Sequence, residues 1–114
     1  MILSLNNKTV TQIQSEFNAM FPYLRIEVFS LNEKGNKISE KNKLLVLTEN
    51  KNSSEIEILG AMTVNELQNL LKNKFNLPVQ VFRKSGNTWL ETRVTEGWTL
   101  NKQNQEGFEL DPAK

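Results

Sequence analysis

The sequence has no cysteine, no histidine and a single aspartate, Asp111. Without cysteine there is no disulfide framework, and pairing says nothing about redox compartment. Structural zinc sites and Cys–His or Ser–His nucleophilic systems need residues that are missing here. Acid–base work is left to glutamates, lysines, Tyr23 and backbone groups. A hard-cation site built from clustered aspartates has no material, so neither a metal nor a cofactor is expected, and no catalytic residue is assigned. Neither sign of charge is in excess: 14 basic residues face 13 acidic ones, for a formal net charge of +1. That balance exerts no global pull towards nucleic acid or anionic lipid, and any such partner needs a local patch. The opening residues MILSLNNK hold no basic cluster and no long apolar run, and no stretch reaches membrane-spanning length. A soluble, cytoplasmic protein without a membrane partner is the expectation.

What is present suits a single domain over residues 1–114: 38% hydrophobic residues in a chain of 114 can form one core. Two segments have a helical period. In residues 9–21, Val10, Ile13, Phe17, Met20 and Phe21 share a face, Thr9 and Gln12 form a capping box, and Pro22 bars continuation. In residues 63–75 the stripe is Val64, Leu67, Leu70, Leu71 and Phe75, the box is Thr63 with Glu66, and Asn76 is a left-handed stop. Each helix runs into an alternating strand, YLRIEVFS (23–30) and VQVFRK (79–84). The halves TVTQIQSEFNAMFPYLRIEVF and TVNELQNLLKNKFNLPVQVF share Thr-Val, Gln14/Gln68, Phe21/Phe75 and a closing Val-Phe. Each then reaches a Gly-Asn turn, Gly35-Asn36 and Gly86-Asn87. They read as a pseudo-repeat, with chance likeness between amphipathic units as the alternative.

Between the halves, KLLVLT (43–48) and EIEIL (55–59) suggest a hairpin, and residues 32–43 a polar loop with a short extension of strand. Near the C-terminus, Thr99 caps a short helix that Gly107 is expected to end, and Trp98, Leu100, Phe108 and Leu110 need somewhere to dock. The expected fold is α+β: two helices on one face of a mostly antiparallel sheet of four or five strands, in the order α-β-β-β-α-β-β, completed by a short C-terminal helix or wrap.

The hairpin VQVFRKSGNTWLETRV (79–94) concentrates the candidate binding residues. A two-residue II′ turn at Gly86-Asn87 sets Ser85 opposite Thr88, Lys84 opposite Trp89, Phe82 opposite Glu91 and Val81 opposite Thr92. Val79, Val81, Leu90, Thr92 and Val94 then face the helices, with Arg83 at the rim. Gln80, Phe82, Lys84, Trp89, Glu91 and Arg93 share the other face with Arg25, Glu27 and Phe29. A three-residue loop would shift the register and turn Trp89 to the helix side.

Four readings of that face compete. The C-terminal apolar residues fold over it, and its aromatic and cation–π contacts, about 0.5–1.5 kcal/mol each, are stability features. Alternatively Phe82, Lys84, Trp89, Arg93, Arg25 and Phe29 form a protein-interaction or self-association surface, since aromatic and Arg residues dominate interface hot spots. A third reading has single-stranded nucleic acid stacking on Trp89 and Phe82, opposed by Glu27 and Glu91 on the same face. In the fourth, Glu27 and Glu91 act as a catalytic carboxylate pair, although cross-strand glutamates beside arginine are usually solvated ion pairs. The protein-interaction module, non-catalytic, is the preferred reading.

FPYLRIEVF and VQVFRKSGNTWLETRVTEGWTLNKQN (79–104) resemble a group of small uncharacterised proteins of Bacteroidetes-type bacteria, and the likeness extends over residues 9–107. The resemblance implies no activity, cofactor or partner. The middle of the chain is also similar in order to the β-grasp fold, a hairpin (43–59) leading into a helix (63–75) and a strand (79–84). The leading helix departs from that pattern, and no C-terminal Gly-Gly is present to imply a sulfur-carrier or conjugation role.

Overall fold

The computed structural model describes residues 1–5, 8–31, 37–39, 44–45 and 55–111. Their elements, in chain order, are β1 (Ile2–Ser4), β2 (Lys8–Thr9), α1 (Val10–Met20), β3 (Leu24–Leu31), β4 (Lys37–Ser39), β5 (Leu44–Leu45), β6 (Glu55–Glu57), α2 (Val64–Phe75), β7 (Val79–Ser85), β8 (Thr88–Glu91) and α3 (Leu100–Glu109). The fold is α+β with three helices. An antiparallel four-stranded sheet of order β4-β3-β7-β8 is joined by two two-stranded ladders, β1-β6 and β2-β5.

Both capping boxes form. The Thr9 hydroxyl accepts from Gln12 N at 3.2 Å while Gln12 Oε1 accepts from Thr9 N at 2.8 Å, and Thr63 and Glu66 repeat the exchange at 3.1 and 3.2 Å. Asn76 ends α2 at φ 53°, the left-handed conformation that asparagine tolerates better than most residues. Glu66 in the first turn and Lys72 and Lys74 in the last complement the helix dipole.

The pseudo-repeat is a spatial one. β3 and β7, each following its helix, pair antiparallel in the middle of the sheet, with Ile26 opposite Val81. The Gln14 amide donates to the Ile26 carbonyl at 2.9 Å, and the Gln68 carbonyl accepts from the Val81 amide at 3.2 Å. The matched glutamines thus bracket the central pair from its two outer sides. Each satisfies a backbone group that no neighbouring strand takes up among the described residues, and such groups are costly when left unpaired.

A third copy of the helical pattern completes the packing. Counting from the capping threonines Thr9, Thr63 and Thr99, the buried positions are Val10, Ile13 and Phe17, then Val64, Leu67 and Leu71, then Leu100, Gln103 and Gly107. The residue five beyond each threonine is an amide, and Asn104 uses its carbonyl to accept from Tyr23 N at 2.8 Å. The buried apolar side chains of the described residues form one cluster, in which the helices, Leu3, Leu5, Ile56 and Ile58 close over Leu24, Ile26, Val28 and Val81.

Three local expectations are corrected. Residues 43–48 and 55–59 do not pair as a hairpin among the described residues. β6 pairs with β1 (Leu3 opposite Ile56), and β5 pairs with β2. The N-terminal segment buries Leu3 in β1 and Leu5 just after it, and β1 takes the edge that the hairpin partner is expected to fill. Gly107 does not end α3, which continues to Glu109. A Cβ at Gly107 would lie 2.6 Å from Tyr23 Cβ and 3.2–3.3 Å from the Tyr23 and Lys84 carbonyls, so the glycine allows the helix to approach the end of the sheet. Finally, Leu90 (44% exposed) and Val94 (98% exposed) are not packed under the helices. Thr92 bonds the Val81 carbonyl through both its amide (3.3 Å) and its hydroxyl (2.8 Å), and the chain turns away from the sheet directly afterwards. β4 falls within the 32–43 segment as the expected strand extension, whereas Gly35-Asn36 lies outside the described residues.

Candidate functional site

The hairpin has the II′ register. Gly86 sits at φ 61° with Asn87 on the ordinary side of the map, and the pairs are Ser85–Thr88, Lys84–Trp89, Arg83–Leu90 and Phe82–Glu91. β3 adds Arg25 opposite Phe82 and Glu27 opposite Gln80. A row Arg25–Phe82–Glu91 therefore crosses three strands on the face away from the core, with Lys84–Trp89 in the next row towards the turn.

Arg25, Glu27, Phe82 and Trp89 line a shallow depression of about 130 Å³ on this face. Its floor is held in place. Arg25 Nη2 lies 2.7 Å from Glu27 Oε1, and the Gln14 amide reaches round the strand edge to Glu27 Oε2 at 3.2 Å. Glu27 is accordingly the deeper partner, with 12% of its side chain exposed against 39% for Arg25. At the outer end Trp89 is 36% exposed, and Arg93 meets Glu91 at a loose 3.6 Å between two largely exposed side chains. Among the described residues Lys84 makes no ion pair; its backbone amide donates to the Tyr23 carbonyl at 3.0 Å.

Of the six residues proposed from sequence, Arg25, Phe82 and Trp89 share the depression and Lys84 flanks it. Arg93 lies just beyond the end of β8. Phe29 is half-buried about 13 Å further along β3, where that strand pairs with β4 at Ser39. It is not part of the cluster around Trp89.

The C-terminal segment docks elsewhere. Leu100 enters the core, and Arg83, on the helix side of β7, donates from Nη1 to Gln103 Oε1 at 2.9 Å. Gln103, fully buried, donates in turn to the Thr95 carbonyl at 2.7 Å and hydroxyl at 2.8 Å. Trp98 stacks near Arg83 and under Lys102, whose ammonium stands 4.3 Å from the ring centroid. Phe108 meets Tyr23 edge-on at 5.7 Å, past the end of the sheet. None of Trp98, Leu100, Phe108 and Leu110 lines the depression.

Arg83, Trp98 and Gln103 were thus missed as a unit. The signal was present: aligning Thr99-Leu100 with Thr9-Val10 and Thr63-Val64 puts Gln103 at a core position, where a buried amide demands partners. Tyr23 has its phenol pushed above the usual range by partial desolvation first, and then by the charge of Asp111 and a hydrogen bond to it.

Comparisons with protein-family profiles, curated proteins and solved structures return no match for this chain.

Proposed function

We propose that the chain is a non-catalytic protein-interaction module that binds through the sheet face around the 79–94 hairpin. The observation that carries this reading is the grouping of Arg25, Phe82 and Trp89 around one depression that the C-terminal helix leaves uncovered. Aromatic and arginine side chains on a rigid sheet are the residue types that most often anchor interfaces. Three cations (Arg25, Lys84, Arg93) stand with two carboxylates (Glu27, Glu91) on the face. That mixture suits a protein surface of both signs better than a phosphate backbone, which favours uncompensated cations. Each carboxylate is tied to an arginine of its own chain segment, which supports an ion-pair role over a catalytic one.

The test compares the wild-type chain, a Trp89→Ala/Arg93→Ala double variant and an off-face Val94→Ala control as immobilised baits. A partner retained by wild type and control but lost from the face variant supports the reading. Equal retention on all three contradicts it. Binding of a dT oligonucleotide whose affinity falls steeply with salt would favour the single-stranded nucleic-acid alternative instead.

A further inference from the structure

We propose that the partner at this face includes a second copy of the chain, paired antiparallel along β8 about a two-fold axis at Leu90; the proposal rests on the interaction reading above. β8 is the end of the sheet order, and all four of its residues are exposed. In a two-residue hairpin the residues flanking the turn exchange both hydrogen bonds, and the pattern then alternates. Thr88, Leu90 and Thr92 therefore point their backbone groups at β7, as the bond from Thr92 N to the Val81 carbonyl at 3.3 Å shows. Trp89 and Glu91 point theirs outward. Beyond Thr92 the chain curls onto the start of α2, where Asn65 N bonds the Glu96 carbonyl at 2.9 Å and Val64 N the Trp98 carbonyl at 3.1 Å, so the edge is not blocked by its own continuation.

This parity restricts self-pairing to a few registers. With the axis at Glu91, two glutamates stand directly opposite each other, which is destabilising. With the axis at Trp89, Leu90 faces Thr88 and finds no apolar partner. With the axis at Leu90, the outward groups of Trp89 meet those of Glu91 in the other copy, twice. The two Leu90 side chains, each 44% exposed in the single chain, then oppose each other in a closely spaced pair. On the open face the row becomes Lys84, Trp89, then the other copy's Glu91. Lys84, which makes no ion pair within the described residues, and Glu91, which has only a loose contact to Arg93, are then two strand spacings of about 4.8 Å apart across one indole ring. Of these three registers within β8, this one alone makes both the charges and the apolar residue self-complementary. The paired edge is short, so the dimer is weak and concentration-dependent.

The chain has no cysteine, which makes a register-specific test clean. In Leu90→Cys, opposed Cα atoms fall within disulfide reach, whereas in Asn87→Cys the thiols are separated by about 20 Å along the strands. Sedimentation equilibrium of the wild-type chain from ten micromolar to one millimolar should show the mass rising from 13.1 kDa towards twice that value. Leu90→Cys should oxidise to a covalent dimer at least ten-fold faster than Asn87→Cys. Lys84→Glu should weaken the association, and adding Glu91→Lys should restore it. A mass of 13.1 kDa at every concentration, or equal cross-linking of the two cysteine variants, overturns the proposal. A monomeric chain that still loses a different partner on Trp89→Ala overturns the self-pairing and leaves the face reading standing.

Discussion

The Arg83–Gln103 contact gives the sharpest energetic prediction. Gln103 is fully buried and spends both ends of its amide, one on Arg83 and one on Thr95. Gln103→Leu keeps the volume but removes one charge-assisted hydrogen bond, worth about 1.5–3 kcal/mol, and leaves the Thr95 carbonyl short of a donor at about 1 kcal/mol. Arg83 is already in deficit, since its buried Nε has no hydrogen-bond partner among the described residues. The substitution should therefore cost about 3 kcal/mol, a large part of a typical total stability of about 5–15 kcal/mol. Arg83→Met alone should cost about 1–2 kcal/mol, by orphaning the Gln103 carbonyl. In the double variant the orphaned charge and the orphaned acceptor disappear together. Its cost should fall below the sum of the singles by about 1.5–2 kcal/mol. Urea unfolding followed by far-UV circular dichroism, with all four members of the cycle at equal concentration, measures this. Additivity within about 0.5 kcal/mol would show that the two side chains are not coupled, contrary to the Arg83–Gln103 hydrogen bond.

Gly107→Ala reverses the usual helix preference: the added methyl meets Tyr23 Cβ at 2.6 Å, so thermal unfolding should report a loss of about 1–3 kcal/mol, and any gain contradicts the close approach. Gln68→Ala should cost about 1–2 kcal/mol and accelerate hydrogen exchange at the Val81 amide, while unchanged protection would mean that the glutamine does not hold the strand edge. Tyr23 is the sole tyrosine, so its phenolate absorbance near 295 nm can be assigned directly. Its midpoint should lie above 10.0 and fall back in Asp111→Asn. Because the folded value is raised, this contribution to stability is complete below the unfolded value of about 10 and is lost as pH rises through the folded midpoint. A midpoint at or below the ordinary value would contradict the placement of Asp111.

Local chemistry made much of this fold legible. Thr9 with Gln12, Thr63 with Glu66 and the left-handed Asn76 each fix a helix end through contacts within a few residues, and all three are found as expected. Period-two alternation and the Gly86-Asn87 turn together specified the β7–β8 register, and with it the grouping of Arg25, Phe82 and Trp89. What escaped depends on long-range pairing. β1 is a three-residue strand whose partner lies more than fifty positions away, and nothing in ILS distinguishes it from a loop. A glycine near a helix end usually terminates it, which is the expectation for Gly107, whereas here its missing side chain serves a contact with Tyr23. Val94 continues the alternation, but the chain leaves the sheet after Thr92, and Leu90 is exposed because β8 is the terminal strand of the sheet order. Phe29 fell out of the cluster because distance along a strand grows with every residue even when the face is shared.

The exposure of Trp89 is the most direct test of the central claim. In a Trp98→Phe variant that retains native circular dichroism, acrylamide quenching at low micromolar concentration reports Trp89 alone. Quenching should be efficient at that dilution, with progressive protection as the concentration rises and β8 edges pair. An indole shielded from acrylamide at every dilution would mean that the face is covered within the single chain, and that the cluster is structure rather than a binding surface.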